Sequence, residues 1–248
     1  MKKIIMGALA SCAILLSGCG EEKKTNTFAF ATSPEYPPFE YRENGELKGF
    51  EIELATLIAK GLGKEVVFQE GQFSSLLAML DNGKVDAAIS TFTITEERKK
   101  SFDFSTPYHF ESMAAVFKEG AAPIKHASDL ADKKVASQLG STMAFWVQEN
   151  AAQLNIAEVS TVDNNNQCIE ALKAGHADVV IMDGSQAPVF CQKNPGLTYV
   201  GIVQAQDGFG IAVKKGDPLL LKINEILKKL EEEGTLQKLK EKWLKGGI

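Results

Sequence analysis

The sequence is short of the residues from which metal and redox sites are built. Its 248 residues include 4 cysteines and 3 histidines. His109, His126 and His176 are scattered along the chain, so no metal-ligand set is expected. There is no C-x-x-C, no H-E-x-x-H, no G-x-S-x-G elbow and no Walker loop, so the usual signatures of redox, zinc-hydrolase, serine-hydrolase and nucleotide chemistry are missing. Gly61-Leu62-Gly63 lacks a third glycine and follows a helical stretch, the wrong setting for a dinucleotide. No nucleophile stands beside a base, and no cofactor is expected. A basic excess is missing too: 27 Lys and Arg against 32 Asp and Glu give a net charge of −5, a poor match for nucleic acid or an anionic membrane face.

Long apolar runs are equally scarce. Lys2 and Lys3 precede a largely apolar stretch of 13 residues, Ile4 to Leu16, which is too short to span a bilayer and reads as a secretory signal covering residues 1–18. Leu16-Ser17-Gly18-Cys19 resembles the lipobox of bacterial lipoproteins, in which Cys19 becomes the lipid-modified first residue. Residues 19–26 then form a polar tether. Losing residues 1–18 removes two lysines and takes the net charge from −5 to −7. The expected location is extracytoplasmic and lipid-anchored, periplasmic where the source has an outer membrane, and such a compartment permits disulfides. Cys168 and Cys191 nevertheless sit at opposite ends of two helices flanking the strand Ala177–Met182, and that offset keeps their Cα atoms too far apart, so free thiols are expected.

What the chain does have is a repeated α/β pattern. Thr27–Thr32 alternates as a strand, and Ser33 to Phe39 follows as a stiff, proline-set loop. Gly49–Gly63 is an amphipathic helix, Val66–Gln69 a strand, Phe73–Leu80 a helix and Val85–Ser90 a strand, which makes βαβαβ and a parallel sheet. Residues 78–90 align with residues 170–182 at a constant offset of 92, matching Leu80 with Leu172, Gly83 with Gly175, Asp86 with Asp178 and Ile89 with Ile181. One helix–turn–strand cassette is used twice, and Asp86 and Asp178 are read as structural. Further elements are a strand Met113–Phe117, a strand Val135–Gln138, a helix from Gly140 to Asn150, a helix Ser185–Lys193, an extended run Leu197–Val203, a strand Gly210–Val213, and helices from Asp217-Pro218 to Glu233 and from Gly234 to Leu244. Ligands of open parallel sheets bind beyond the carboxyl ends of strands, so two cassettes imply two strand ends facing a cleft, Thr91 after the first and Asp183 after the second.

The stretch Ser90 to Arg98 draws the chemistry together. Thr95 is a good N-cap, with Glu96 and Glu97 in the first helical turn, so free N–H groups are expected at the strand's end. Arg98 adds a planar fork that binds a carboxylate bidentately.

These residues, with Tyr36-Pro37-Pro38-Phe39-Glu40-Tyr41, Gly45 to Leu54, Thr93 to Arg98, Phe102 to Tyr108 and Gly234-Thr235-Leu236, resemble the extracytoplasmic solute-binding proteins of polar amino-acid ABC importers. The resemblance covers residues 27 to 244 and implies a two-lobe clamshell of type II. Each lobe is then a mostly parallel sheet flanked by helices, with two hinge strands. Lobe 1 would be residues 27–110 with 205–248, and lobe 2 residues 111–204. The implied partners are a free amino acid, a membrane permease and, through Cys19, the membrane; a monomer is expected.

Carried over by position, Arg98 with Thr93 and the Thr91 to Thr93 backbone is implied to bind the α-carboxylate, and Asp183 the α-ammonium. Tyr36 and Phe73 are implied to sandwich the side chain, while Thr142, preceded by Ser141, touches the carboxylate on closure. Ser33 departs from the aspartate of several relatives, and Met143 from a glutamine found in some. No lysine, arginine or histidine occurs among 33–36, 73, 90–93, 138–143 and 183, which disfavours an acidic ligand. Glu35 is the one further acid there, Gln138, Ser33 and Thr32 add acceptors around it, and Tyr36 and Phe73 suit a flat guanidinium by stacking, so arginine or another basic amino acid is the first expectation, with Ser90 among the candidate ligand-binding residues. Glutamine or cystine is the second. An enzyme resembling the cyclohexadienyl or arogenate dehydratases is the alternative from another class; it would need an acid in the cleft, and no second acid/base partner lies near Asp183 in sequence.

Overall fold

A computed structural model describes residues 26–204 and 207–244; the expected signal, Cys19 and the tether as far as residue 25 lie outside these residues. Two five-stranded mixed sheets dominate. The first has the order Glu65–Glu70, Thr27–Thr32, Ala87–Ala88, Ala212–Lys214, Phe102–Phe104. The second runs Glu158–Val162, Lys134–Gln138, Val179–Asp183, Met113–Lys118, Leu197–Val203. In each sheet three neighbouring strands are parallel, and antiparallel strands complete it on one side. Four of the five strands in each sheet therefore run the same way, the single reversed strand being Ala212–Lys214 in the first and Met113–Lys118 in the second, and the antiparallel pairs belong to the segments where the chain crosses between the sheets.

The duplicated cassette is visible atom by atom. Asp86 Oδ2 accepts the Ala29 N–H at 2.8 Å, and Asp178 Oδ2 accepts the Lys134 N–H at 2.9 Å. Each aspartate also donates its own N–H to the carbonyl of that same residue, at 2.9 and 2.8 Å. Gly83 and Gly175 end the preceding helices with positive φ, at 69° and 80°, a conformation that costs a side-chain-bearing residue but not glycine. An aspartate at strand entry therefore fixes the register of the neighbouring strand, twice, by the same pair of bonds.

Apolar faces pack around both sheets. Phe28, Phe30, Phe39 and Phe50 join Leu54 and Ile58 under the first, where the C-terminal helices Leu219–Glu232 and Thr235–Trp243 also pack. Phe73, Leu76, Leu80 and Phe92 fill its other face. The second sheet is sandwiched in the same way by Cys168, Ile169 and Phe190 on one side and Leu130, Met143 and Val147 on the other. A sheet apolar on both faces demands helices on both, which the alternating strand–helix order supplies. Beside the crossings, His109–Phe110 pairs antiparallel with Gly208–Phe209. Among the described residues no helix is long and apolar enough to cross a membrane.

Local spans differ from expectation in two instructive places. The strand expected over 85–90 is laddered only at Ala87–Ala88, because the chain turns out of the sheet toward Thr91. The helix after Thr95 is only Glu96–Lys99.

Cys168 is buried, Cys191 half-buried, and both are free thiols. Burial pushes the Cys168 thiol up to about 12 and Cys191 up to about 11, so neither is a reactive thiolate at neutral pH. Intact mass should be unchanged by reductant, and native alkylation should be slow, with Cys191 modified before Cys168. A gain in mass on reduction would contradict the geometry.

Candidate functional site

The carboxyl ends of the two sheets meet. The strand Val179–Asp183 ends in a carboxylate that is 5% exposed. Opposite it, the segment after Ala87–Ala88 brings Thr91, Thr93 and Arg98 to the same narrow cavity. Tyr36 and Phe73 line it from the first sheet's side, and Gln138, Ser141, Thr142 and Met143 from the second's. Thr93 Oγ1 and Thr142 Oγ1 stand 3.3 Å apart across the junction.

Each charged group is satisfied by neutral partners. Arg98 Nη1 donates to the Thr93 carbonyl at 2.8 Å and Nη2 to the Gly140 carbonyl at 3.1 Å. Its guanidinium carbon lies 5.8 Å and 5.4 Å from the rings of Phe73 and Phe92, which stack on each other at 5.0 Å. Burial lowers its pKa to about 10, opposed by the charge of Asp183. Asp183 accepts a hydrogen bond from the Tyr36 hydroxyl. Burial pushes the Asp183 carboxyl up to about 8; Tyr36 and Arg98 pull it down, while Glu111 and Glu51 push it further up. Gly184, next along, leaves room for the crossing segment: a Cβ there would stand 2.5 Å from Ser112 Oγ.

Nine of the residues expected from sequence line this one cavity: Tyr36, Phe73, Thr91, Thr93, Arg98, Gln138, Ser141, Thr142 and Asp183. Three do not. Glu35 is exposed and lines a separate depression with Arg42 and Lys193, so the charge it was expected to lend the site is corrected. In the strand Glu35–Tyr36 adjacent side chains point to opposite faces, and Tyr36 takes the inner one. Ser33 and Ser90 are buried beneath the cavity, where the Ser33 N–H donates to Ser90 Oγ at 3.3 Å. The N–H groups expected to face the cleft at the helix start are corrected as well: that helix has 4 residues, and the Arg98 N–H is taken by Thr95 Oγ1 at 3.2 Å. Ser141 caps the helix Thr142–Asn150 by accepting the Ala144 N–H at 3.1 Å.

Sequence reasoning missed Glu40, Glu51, Tyr108 and Glu111, which cluster behind Asp183 and Tyr36. Their only sequence signal was a pair of acids beside the apolar residues of Gly49 to Leu54 and Tyr36 to Tyr41. A groove of about 660 Å³ runs outside Arg98, bounded by Leu77, Phe102, Phe145 and Trp146. Its lining is chiefly apolar, and the opposed charges lie in the smaller cavity. Among the described residues no cluster is suited to a metal ion.

A profile of the bacterial extracellular solute-binding proteins, family 3, matches residues 28–246. The L-cystine-binding protein TcyJ of Escherichia coli strain K12 is 35% identical over 225 residues, covering 89% of this chain and 84% of that protein. A solved ancestral arginine-binding protein bound to arginine is 41% identical, with a TM-score of 0.84 over 88% of this chain and 98% of that one. An ancestral arginine-binding protein bound to glutamine matches at 41% identity and a TM-score of 0.83, covering 88% and 97% of the two chains.

The pKa of Asp183 has a direct consequence. In the arrangement described it holds its proton at pH 7, and a cation placed beside it lowers its pKa and expels that proton. Binding of an ammonium ligand at pH 6–7 should therefore release close to one proton, with affinity rising about tenfold per pH unit toward pH 8 and flattening above. Calorimetry in buffers of different ionisation enthalpy measures this; heats independent of buffer would contradict it.

Proposed function

The chain belongs to the bacterial extracellular solute-binding proteins, family 3, and we propose that it binds a free L-amino acid between its two lobes and delivers it to an ABC permease. The observation that carries this reading is the opposition of Arg98 and Asp183 across one cavity. An α-carboxylate would replace the carbonyl partners of Arg98 with a bidentate ion pair, and an α-ammonium would displace the proton of Asp183. Both changes exchange a neutral partner for an opposite charge. Because the two charges come from different sheets, only an amino acid gripped by both gains both interactions, and differential binding of that kind drives closure.

For the side chain we propose arginine or another basic amino acid. Tyr36 and Phe73 both line the cavity and suit a flat guanidinium by stacking. Among the described residues Arg98 is the only cationic side chain lining it, so an acidic ligand would bring an unpaired charge. The similarity to arginine-binding proteins supports the same reading. With Glu35 facing outward, no acid besides Asp183 lines the cavity, and this observation favours a neutral polar ligand, glutamine or cystine, as the second reading.

The lobes that close are proposed as residues 27–110 with 205–248, and residues 111–204. The protein is proposed to be a monomeric carrier rather than an enzyme, lipid-anchored through Cys19 outside the cytoplasm. Asp183 holds a proton as a dehydratase acid would, yet its hydrogen-bond partner, the Tyr36 hydroxyl, is held well above its ordinary pKa by burial and is no base. Incubation with prephenate and arogenate should yield no absorbing product.

Competition at neutral pH decides the ligand: arginine should outcompete lysine, histidine, glutamine, cystine and glutamate, and a win for glutamine or glutamate overturns the arginine assignment. Arg98→Ala should cost about 2–5 kcal/mol, roughly 30-fold to several thousand-fold in affinity. Asp183→Asn should weaken binding comparably and abolish the proton release; normal binding by either variant would sink the site.

A further inference from the structure

Behind the cavity lies a buried pair of carboxyls that the binding reading leaves unused. Glu40 and Glu51 are both 0% exposed. Glu51 stands in the first turn of the helix Phe50–Gly61. The Thr91 N–H donates to both of its oxygens, at 2.9 and 3.1 Å, and the Tyr108 hydroxyl donates to Oε1. Glu40 opens the strand Glu40–Glu43, and its Oε1 accepts from Ser90 Oγ at 2.7 Å. Its Oε2 is buried without a donor.

A carboxylate oxygen without a donor in a dry interior is costly, whereas a carboxyl that keeps its proton can donate it. Glu51 is the natural acceptor. Burial first, and then the charges of Glu51 and Asp183, hold Glu40 well above the usual carboxylate range, while its bond from Ser90 opposes them. Burial also pushes Glu51 up, to about 7, against the lowering effect of its bonds from Tyr108, Glu40 and Thr91.

The residue held by Glu51 is conformationally unusual. Thr91 has φ of 48°, in the left-handed region that a β-branched residue disfavours. It also lines the cavity. The peptide joining it to Ser90 is planar and trans, so aiming its N–H at Glu51 aims the Ser90 carbonyl the opposite way. The direction in which this strand end presents its polar groups thus depends on a single buried acceptor.

We propose that Glu51 is a positioning residue of the amino-acid site, clamping Thr91 in its left-handed turn, with Glu40 as the proton-bearing partner, so that the pair carries at most one negative charge. The proposal rests on the amino-acid-binding reading for the meaning of the site, while the clamp itself is observable without ligand. The two acids differ in what an amide replacement does. In Glu40→Gln the amide N–H₂ stands in for the shared proton, and its carbonyl still accepts from Ser90. In Glu51→Gln one oxygen must serve both Thr91 and Tyr108.

The test is ¹⁵N NMR of the ligand-free protein together with arginine calorimetry. The Thr91 amide should titrate with a midpoint near pH 7 in the wild type. It should keep a titration in Asp183→Asn and lose it in Glu51→Gln. Tyr108→Phe removes a bond that lowers the pKa of Glu51, so it should raise the midpoint, and it serves where Glu51→Gln does not fold. Arginine affinity should fall at least about tenfold in Glu51→Gln, and less in Glu40→Gln. An unchanged Thr91 titration in both Glu51→Gln and Tyr108→Phe overturns the clamp, as does a loss of affinity in Glu40→Gln that equals or exceeds the loss in Glu51→Gln. Absence of any amino-acid binding by the wild type, with the Thr91 titration intact, overturns the function and not the clamp.

Discussion

Asp183 and Arg98 are a buried acid and a buried base that face one cavity without pairing with one another, and the architecture follows from keeping them so. Arg98 spends its donors on two backbone carbonyls, and Asp183 accepts from a tyrosine hydroxyl. Neither arrangement repays the desolvation of a full charge, which is why both groups shift toward their neutral forms, Asp183 to about 8 and Arg98 to about 10. A zwitterion offers each what it lacks. In the proposed function the partner carries both counter-charges at the spacing of one α-carbon, and a ligand missing either one would leave a buried group poorly satisfied.

Holding such a junction open to a ligand requires that the charges come from separate bodies that are each rigid. The repeated cassette supplies this economically. Asp86 and Asp178 tie their strands to the neighbouring strands by identical bond pairs, so each strand end emerges at a defined place. One end then turns through Thr91 and the other stops at Asp183. The first end is further secured from beneath by Glu51, and the second by Gly184, whose N–H donates to the Ser112 carbonyl at 2.8 Å. The crossing segment that carries Ser112 also carries Glu111, so one of the two carboxyls that add to the effect of burial on Asp183 lies on the path between the lobes.

Much of this was legible in the sequence, and for identifiable reasons. Leu80, Gly83, Asp86 and Ile89 recur 92 residues later because packing, capping and register impose them, the rule that ligands sit beyond strand ends then singles out Thr91 and Asp183, and Arg98 stands out by the planar fork it offers a carboxylate. Glu35 misled because a proline-set loop does not reveal which of two neighbours faces inward, and the two-residue strand gives that face to Tyr36. The short helix Glu96–Lys99 misled because a good N-cap says where a helix starts and nothing about how far it runs. Glu40 and Glu51 stayed hidden because an acid among apolar residues reads as the solvated edge of an amphipathic helix or hairpin. Only the coordinates show that both are enclosed, and that the donors of Thr91, Tyr108 and Ser90 converge on them.

In the proposed function the α-carboxylate and α-ammonium of the ligand are read together by Arg98 and Asp183. The most direct measurement compares L-arginine with agmatine, which keeps the guanidinium and the amine and lacks the carboxylate, by calorimetry at one pH. Agmatine should bind at least about 100-fold more weakly, because Arg98 would be left without the charged partner for which it is buried. Agmatine binding within about threefold of arginine would contradict the account, since Arg98 would then contribute nothing that a carboxylate supplies.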